Sequence, residues 1–116
     1  MIIKKTSEVP ATPVQMDGAK DVNVRVLFGP KDGAPTFAMR IFELAPGGFT
    51  PFHEHPFEHE VMILQGDMAV VSHKGQTPVE PGQVLLVMPH EKHQFRNRSW
   101  DKPASFLCLV PVAYQK

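Results

Sequence analysis

A single cysteine, Cys108, rules out an internal disulfide and fits a chain that works in a reducing compartment. Net charge is also lacking. Twelve basic residues balance twelve acidic ones, so there is no basic stripe to follow phosphates and no acidic tail, and a nucleic-acid partner is not expected. Long apolar runs are missing as well: residues 84–88 and 106–111 are the longest, far below the roughly 20 a membrane helix needs. The first residues, Met1-Ile2-Ile3-Lys4-Lys5, contain no signal-like apolar stretch. These absences lead to the expectation of a soluble, cytoplasmic protein with no membrane partner. No repeat, linker or low-complexity segment divides the chain, so residues 1–116 are expected to form a single domain.

What the sequence has in quantity is turn formers. Twelve prolines and eight glycines suit either disorder or short strands joined by many turns, and the 42% hydrophobic content selects the strands. Val22-Asn23-Val24-Arg25-Val26 alternates with period two and runs into Gly29-Pro30-Lys31-Asp32-Gly33. Residues 37–44 read as a strand ended by Ala45-Pro46-Gly47-Gly48. Further strands are expected at residues 61–64, 68–72, 84–88, 93–97 and 106–110. At least seven strands, turns every eight to twelve residues and no period of 3.6 predict an all-β sandwich or barrel with negligible helix. Several strands are apolar on both faces, as at Val61-Met62-Ile63-Leu64, and a single interior accounts for only one of them. A homodimer covering the outer face is expected.

His53, His55 and His59 fall within seven residues and share one parity, so on an extended chain they point the same way. The interleaved Glu54, Glu58 and Glu60 also suit a solvated loop. Four imidazoles turned inward with no partner would cost about 1–3 kcal/mol each, about 4–12 kcal/mol in all, which approaches a whole domain's net stability. His55-Pro56-Phe57-Glu58-His59 also fits the inverted zinc-protease pattern H-x-x-E-H, whose chemistry needs a helix. Pro56 and the strand-like run that follows argue against one.

The segment from Gly47 to Gly66 resembles the first motif of the cupin family, G-x5-H-x-H-x3,4-E-x6-G, with His53 and His55 in place and His59 where the glutamate would stand. Glu60 has the wrong parity to replace it, which leaves His59 as the better ligand. The segment from Gly82 to Asn97 resembles the second motif, G-x5-P-x-G-x2-H-x3-N, through Gly82, His93 and Asn97. Pro89 is one place late, and His90 occupies the glycine position. The resemblance covers residues 47–97. It implies the cupin double-stranded β-helix, a jelly-roll-like barrel, in which two histidine-bearing hairpins face each other and bring His93 beside His53, His55 and His59.

It further implies one divalent transition metal per chain, held by His53, His55, His59 and His93. Four neutral imidazoles suit manganese, iron, nickel, copper or zinc and disfavour calcium and magnesium, and the resemblance favours manganese or iron. Candidate substrate contacts are Phe95, which shares parity with His93, and the pairs Arg40 with Phe42 and Phe106 with Cys108, each on one face of a strand. Cys108 also suits a small buried apolar position, and Arg40 either a carboxylate substrate or a glutamate. His73 falls in a solvated turn and His90 near the mouth of the pocket. The function implied is a metal-dependent oxidoreductase of the dioxygenase type acting on a small organic substrate, with a non-catalytic metal- or ligand-binding module as the alternative.

Overall fold

The period-two patterns become strands of one curled antiparallel sheet. The computed structural model describes residues 1–115. In chain order the strands are β1 (Thr12–Pro13), β2 (Lys20–Phe28), β3 (Phe37–Phe49), β4 (His59–Gln65), β5 (Met68–Ser72), β6 (Gly75–Val79), β7 (Val84–Val87), β8 (Gln94–Asn97) and β9 (Ala104–Pro111). The only helical segments among the described residues are three-residue 3-10 turns at Thr6–Glu8, Pro30–Asp32 and Val112–Tyr114. None is long and apolar enough to cross a membrane.

The sheet runs β6-β5-β8-β3-β9-β4-β7, with β2 added along β3 and β1 along β2. Its backbone is the pairing of β3 with β9, in register from Phe37↔Pro111 to Leu44↔Ala104, and of β9 with β4 through Val61↔Cys108 and Ile63↔Phe106. In β9, Ala104, Phe106, Cys108 and Val110 are buried while the residues between them are not. On β4 the buried set is His59, Val61 and Ile63. Together with Ala38, Leu44, Met68 and Phe95 these side chains make one core inside the curl. Removing a side chain such as Phe106 from it would cost about 3–5 kcal/mol.

Apart from shifts of one or two residues at strand ends and the added two-residue β1, two differences from the sequence reading stand out. Ala45-Pro46-Gly47-Gly48 does not end β3, which continues to Phe49 through a register shift against β2. Gly47 takes a φ of 73°, and a Cβ on Gly48 would stand 2.8 Å from the Asp21 carbonyl oxygen, so glycines carry the strand through this bulge rather than stop it. The second difference is β6, a strand the sequence reading omits; it is polar, contains Pro78 and lies at the sheet edge, where the missing N–H does no harm.

The outer face of β4, β7 and β9 stays apolar. Met62, Val84 and Leu86 are exposed, and with Leu85, Leu107 and Leu109 they line a shallow groove.

Candidate metal centre

The histidines stand where two loops are tied together. His53 and His93 exchange both backbone hydrogen bonds, at 3.1 and 3.0 Å, in an isolated bridge. Beside it, Thr50 and Phe95 bond through their backbones at 2.9 Å, the Phe95 N–H also donates to Thr50 Oγ1, and the buried Gln94 amide donates to the Thr50 carbonyl. The His90 N–H reaches the His55 carbonyl at 2.8 Å. His90 adopts a φ of 65°, the left-handed conformation its glycine counterpart in the motif would take freely, while its side chain is mostly exposed and lies 3.9 Å from Glu54. Asn97, 4% exposed, anchors the far side, with Nδ2 reaching the carbonyls of Leu44, Ala45 and Lys102 and Oδ1 accepting from the Ser99 N–H.

This framework places one ligand nitrogen from each of His53, His55 and His93 within 4.8 Å of one another. A carbonyl oxygen can only accept, so the contacts of His55 Nδ1 with the Phe57 carbonyl and of His93 Nδ1 with the Glu91 carbonyl, both 2.8 Å, put the proton on Nδ1 in each ring. Nε2 is then left with a lone pair. That of His55 is buried and has no hydrogen-bond partner, the arrangement expected of a ligand oriented by a carbonyl behind it. His59 stands beside this triad, its ring stacked on His55 at 4.2 Å and 5.3 Å from the ring of His93, with Nδ1 3.1 Å from Cys108 Sγ.

The electrostatics suit a cation held by neutral rings. Burial, followed by the charges His93 and His55 would carry, pulls the pKa of His53 down to about 4. His59 falls to about 2, mainly through burial, with His55 and Arg40 adding to it. His55 is lowered by the same desolvation. All three remain unprotonated at neutral pH, as metal coordination requires. Three convergent imidazoles with no carboxylate among them fit a borderline-soft divalent transition metal.

The histidines line a cavity of about 200 Å³, whose wall also includes Arg40, Phe42, Phe57, Phe95, Phe106 and Tyr114. Four of the five candidate substrate contacts, Phe95, Arg40, Phe42 and Phe106, therefore face the site. Cys108 does not: it is fully buried beneath the wall, where it touches Arg40 Nη2 and His59 Nδ1 at 3.1 Å each, and burial raises its pKa so that it stays a neutral thiol. His73 lies in an exposed turn as expected.

Phe57 and Tyr114 are absent from the sequence reading. Phe57 stacks on His55 at 4.1 Å, and Tyr114 stacks on Phe57 at 4.1 Å, both lining the cavity. Phe57 shares the parity of His53, His55 and His59, so a signal for it exists; Tyr114 is brought in by the fold, and no local pattern marks it.

Comparison with known proteins agrees with this architecture. The chain is 32% identical to the polyketide cyclase RemF from Streptomyces resistomycificus, with a TM-score of 0.91 over 97% of this chain and 80% of that one. It is also 32% identical over 97 residues to the 1-methylthio-D-xylulose 5-phosphate methylsulfurylase of Rhodospirillum rubrum, covering 84% of this chain and only 60% of that longer protein. A sugar phosphate isomerase from Silicibacter pomeroyi, 23% identical with a TM-score of 0.75 over 92% of this chain and 73% of its own, shares the fold. The model of the cupin domain family matches residues 40–110, which contain the histidine triad and most of the wall around it, and the chain belongs to the cupin superfamily.

Proposed function

We propose that the chain is a metal-dependent cytoplasmic enzyme acting on a small carbonyl-bearing organic substrate, with His53, His55 and His93 as metal ligands and His59 as the fourth. The observation that carries this reading is the buried, unpartnered Nε2 of His55, aligned by its carbonyl-bound Nδ1 within a triad spanning 4.8 Å. A divalent transition metal bound there supplies Lewis-acid polarisation of a substrate oxygen. The chain's own residues orient and enclose. Phe42, Phe95 and Phe106 form an apolar wall, and Phe57 and Tyr114 cover the opening, so bound substrate is shielded from water. Among the described residues no carboxylate lines the cavity, and Glu54, Glu58 and Glu60 all lie on the exposed parity.

The likeness to a polyketide cyclase supports redox-neutral carbonyl chemistry, cyclisation or isomerisation, at this site. The dioxygenase type is the second reading, favoured by the all-nitrogen donor set, which also suits iron or manganese. The protein loaded in turn with zinc, manganese and iron, and given a panel of 1,3-diketones, separates the two. Product formation without oxygen uptake supports the first, stoichiometric uptake supports the second, and no turnover with any metal leaves a binding module.

The apolar outer face of β4, β7 and β9 supports a homodimer, with Met62, Val84 and Leu86 at its centre.

A further inference from the structure

Among the described residues Arg40 has no counter-ion. It lies on the inner face of β3 between Ala38 and Phe42, and its guanidinium lines the cavity. Nη2 donates to Cys108 Sγ at 3.1 Å, and the guanidinium lies 4.8 Å from the centre of the Phe42 ring. Its Nε is buried with no acceptor. The nearest acid along β3, Glu43, points to the other face and is paired with Arg25 at 3.1 Å. Among the described residues no carboxylate pairs with Arg40 or lines the cavity beside it. A partly buried cation is costly unless an anion compensates it, and among the described residues none does.

The walls define the rest of the ligand. Phe42 and Phe106 stack at 5.1 Å with 14° between their planes, and Phe95 lies 4.4 Å from Phe106. Tyr114, Phe57, His55 and His59 form a second run of stacked rings. The cavity, about 200 Å³, is smaller than the roughly 300–1,000 Å³ of sites for drug-sized molecules.

We infer that the ligand of this cavity is a small conjugated oxyanion, a planar unsaturated body whose charged oxygen is taken by the Arg40 guanidinium. Enolates, phenolates and aryl carboxylates share that chemistry. The inference rests on reading the cavity as the ligand site, as proposed above, but not on the metal.

The test titrates benzoate, its neutral isostere benzamide and the non-planar cyclohexanecarboxylate into the full chain, as purified and after metal stripping, followed by amide NMR shifts. Benzoate should bind at least about tenfold more tightly than either analogue, shifting the amides of Arg40, Phe42 and Phe106 in both samples. Arg40→Met should lose about tenfold or more in benzoate affinity, and Arg40→Lys should recover part of it. Equal binding of benzoate and benzamide, unchanged binding by Arg40→Met, or no saturable benzoate binding would overturn the anionic assignment; equal binding of cyclohexanecarboxylate would overturn the planar one. If Arg40→Met does not fold, the wild-type ratio of benzoate to benzamide decides. Metal content measured on the same samples keeps the two readings apart: benzoate selectivity without metal overturns the metal enzyme alone, and metal without selectivity overturns this inference alone.

Discussion

Acid should destabilise the metal-free protein before its carboxylates titrate. An ordinary histidine in the unfolded chain protonates near pH 6.5, whereas His59 in the fold is held down to about 2 and His53 to about 4, both chiefly by burial. Below about pH 6.5 the unfolded state therefore binds more protons than the folded state, and stability falls as pH falls. Each such group contributes a slope of about 1.4 kcal/mol per pH unit, so by about pH 4.5 the buried His59 alone removes about 3 kcal/mol. His53 is only half-buried, and solvent screening cuts its share to about 1 kcal/mol. His55 acts in the same direction. The total, about 4 kcal/mol, is a large part of the roughly 5–15 kcal/mol that holds a domain together. Asp32, whose carboxyl is lowered by its hydrogen bond from Lys4, loses its contribution only below about pH 4 and does not enter this window. Urea unfolding in excess EDTA, followed by far-ultraviolet circular dichroism at about pH 7.5 and about pH 4.5, measures the difference, and His59→Gln should remove more than half of it. Equal stability at the two pH values, or greater stability in acid, would refute the reasoning.

Gly66→Ala should cost at least about 3 kcal/mol, because the glycine has a φ of 98° and a Cβ would lie 2.6 Å from Ala104 Cβ and 2.7 Å from the Pro103 carbonyl oxygen; thermal unfolding reads the loss. Asn97→Ala should lower stability by about 2–4 kcal/mol in urea titrations, since the Leu44, Ala45 and Lys102 carbonyls lose their shared donor. Leu86→Glu should convert a dimer to a monomer in light scattering while changing far-ultraviolet circular dichroism little, because Leu86 is 55% exposed on the single chain.

Most of the fold could be read from residues one strand at a time, because half-buried antiparallel strands alternate visibly. The alternation in β9 is complete, and Phe106 and Cys108 were placed on one face correctly. Parity does not say which face points inward. For Arg40 and Phe42 that is decided by the long register of β3 on β9, a contact between residues some 68 apart. Pro46-Gly47-Gly48 reads as a turn in isolation, and only the partner strand reveals that the chain bulges and continues. His53, His55 and His93 converge as the two motifs implied, and His59 stands beside them rather than among them. His90 was a departure from the second motif that left no structural defect, since its backbone takes the left-handed conformation and bonds to the His55 carbonyl. Tyr114 and Val14 reach the pocket from the two ends of the sequence, and nothing local to either residue signals this.

Elemental analysis of the purified protein and of its four single histidine-to-alanine variants bears most directly on the metal centre. About one equivalent of a first-row transition metal per chain is expected in the parent, falling to a small fraction of that in the His53, His55 and His93 variants and substantially in the His59 variant. A parent protein that stays metal-free when expressed with manganese, iron and zinc in excess, or variants that all keep the full equivalent, would contradict it.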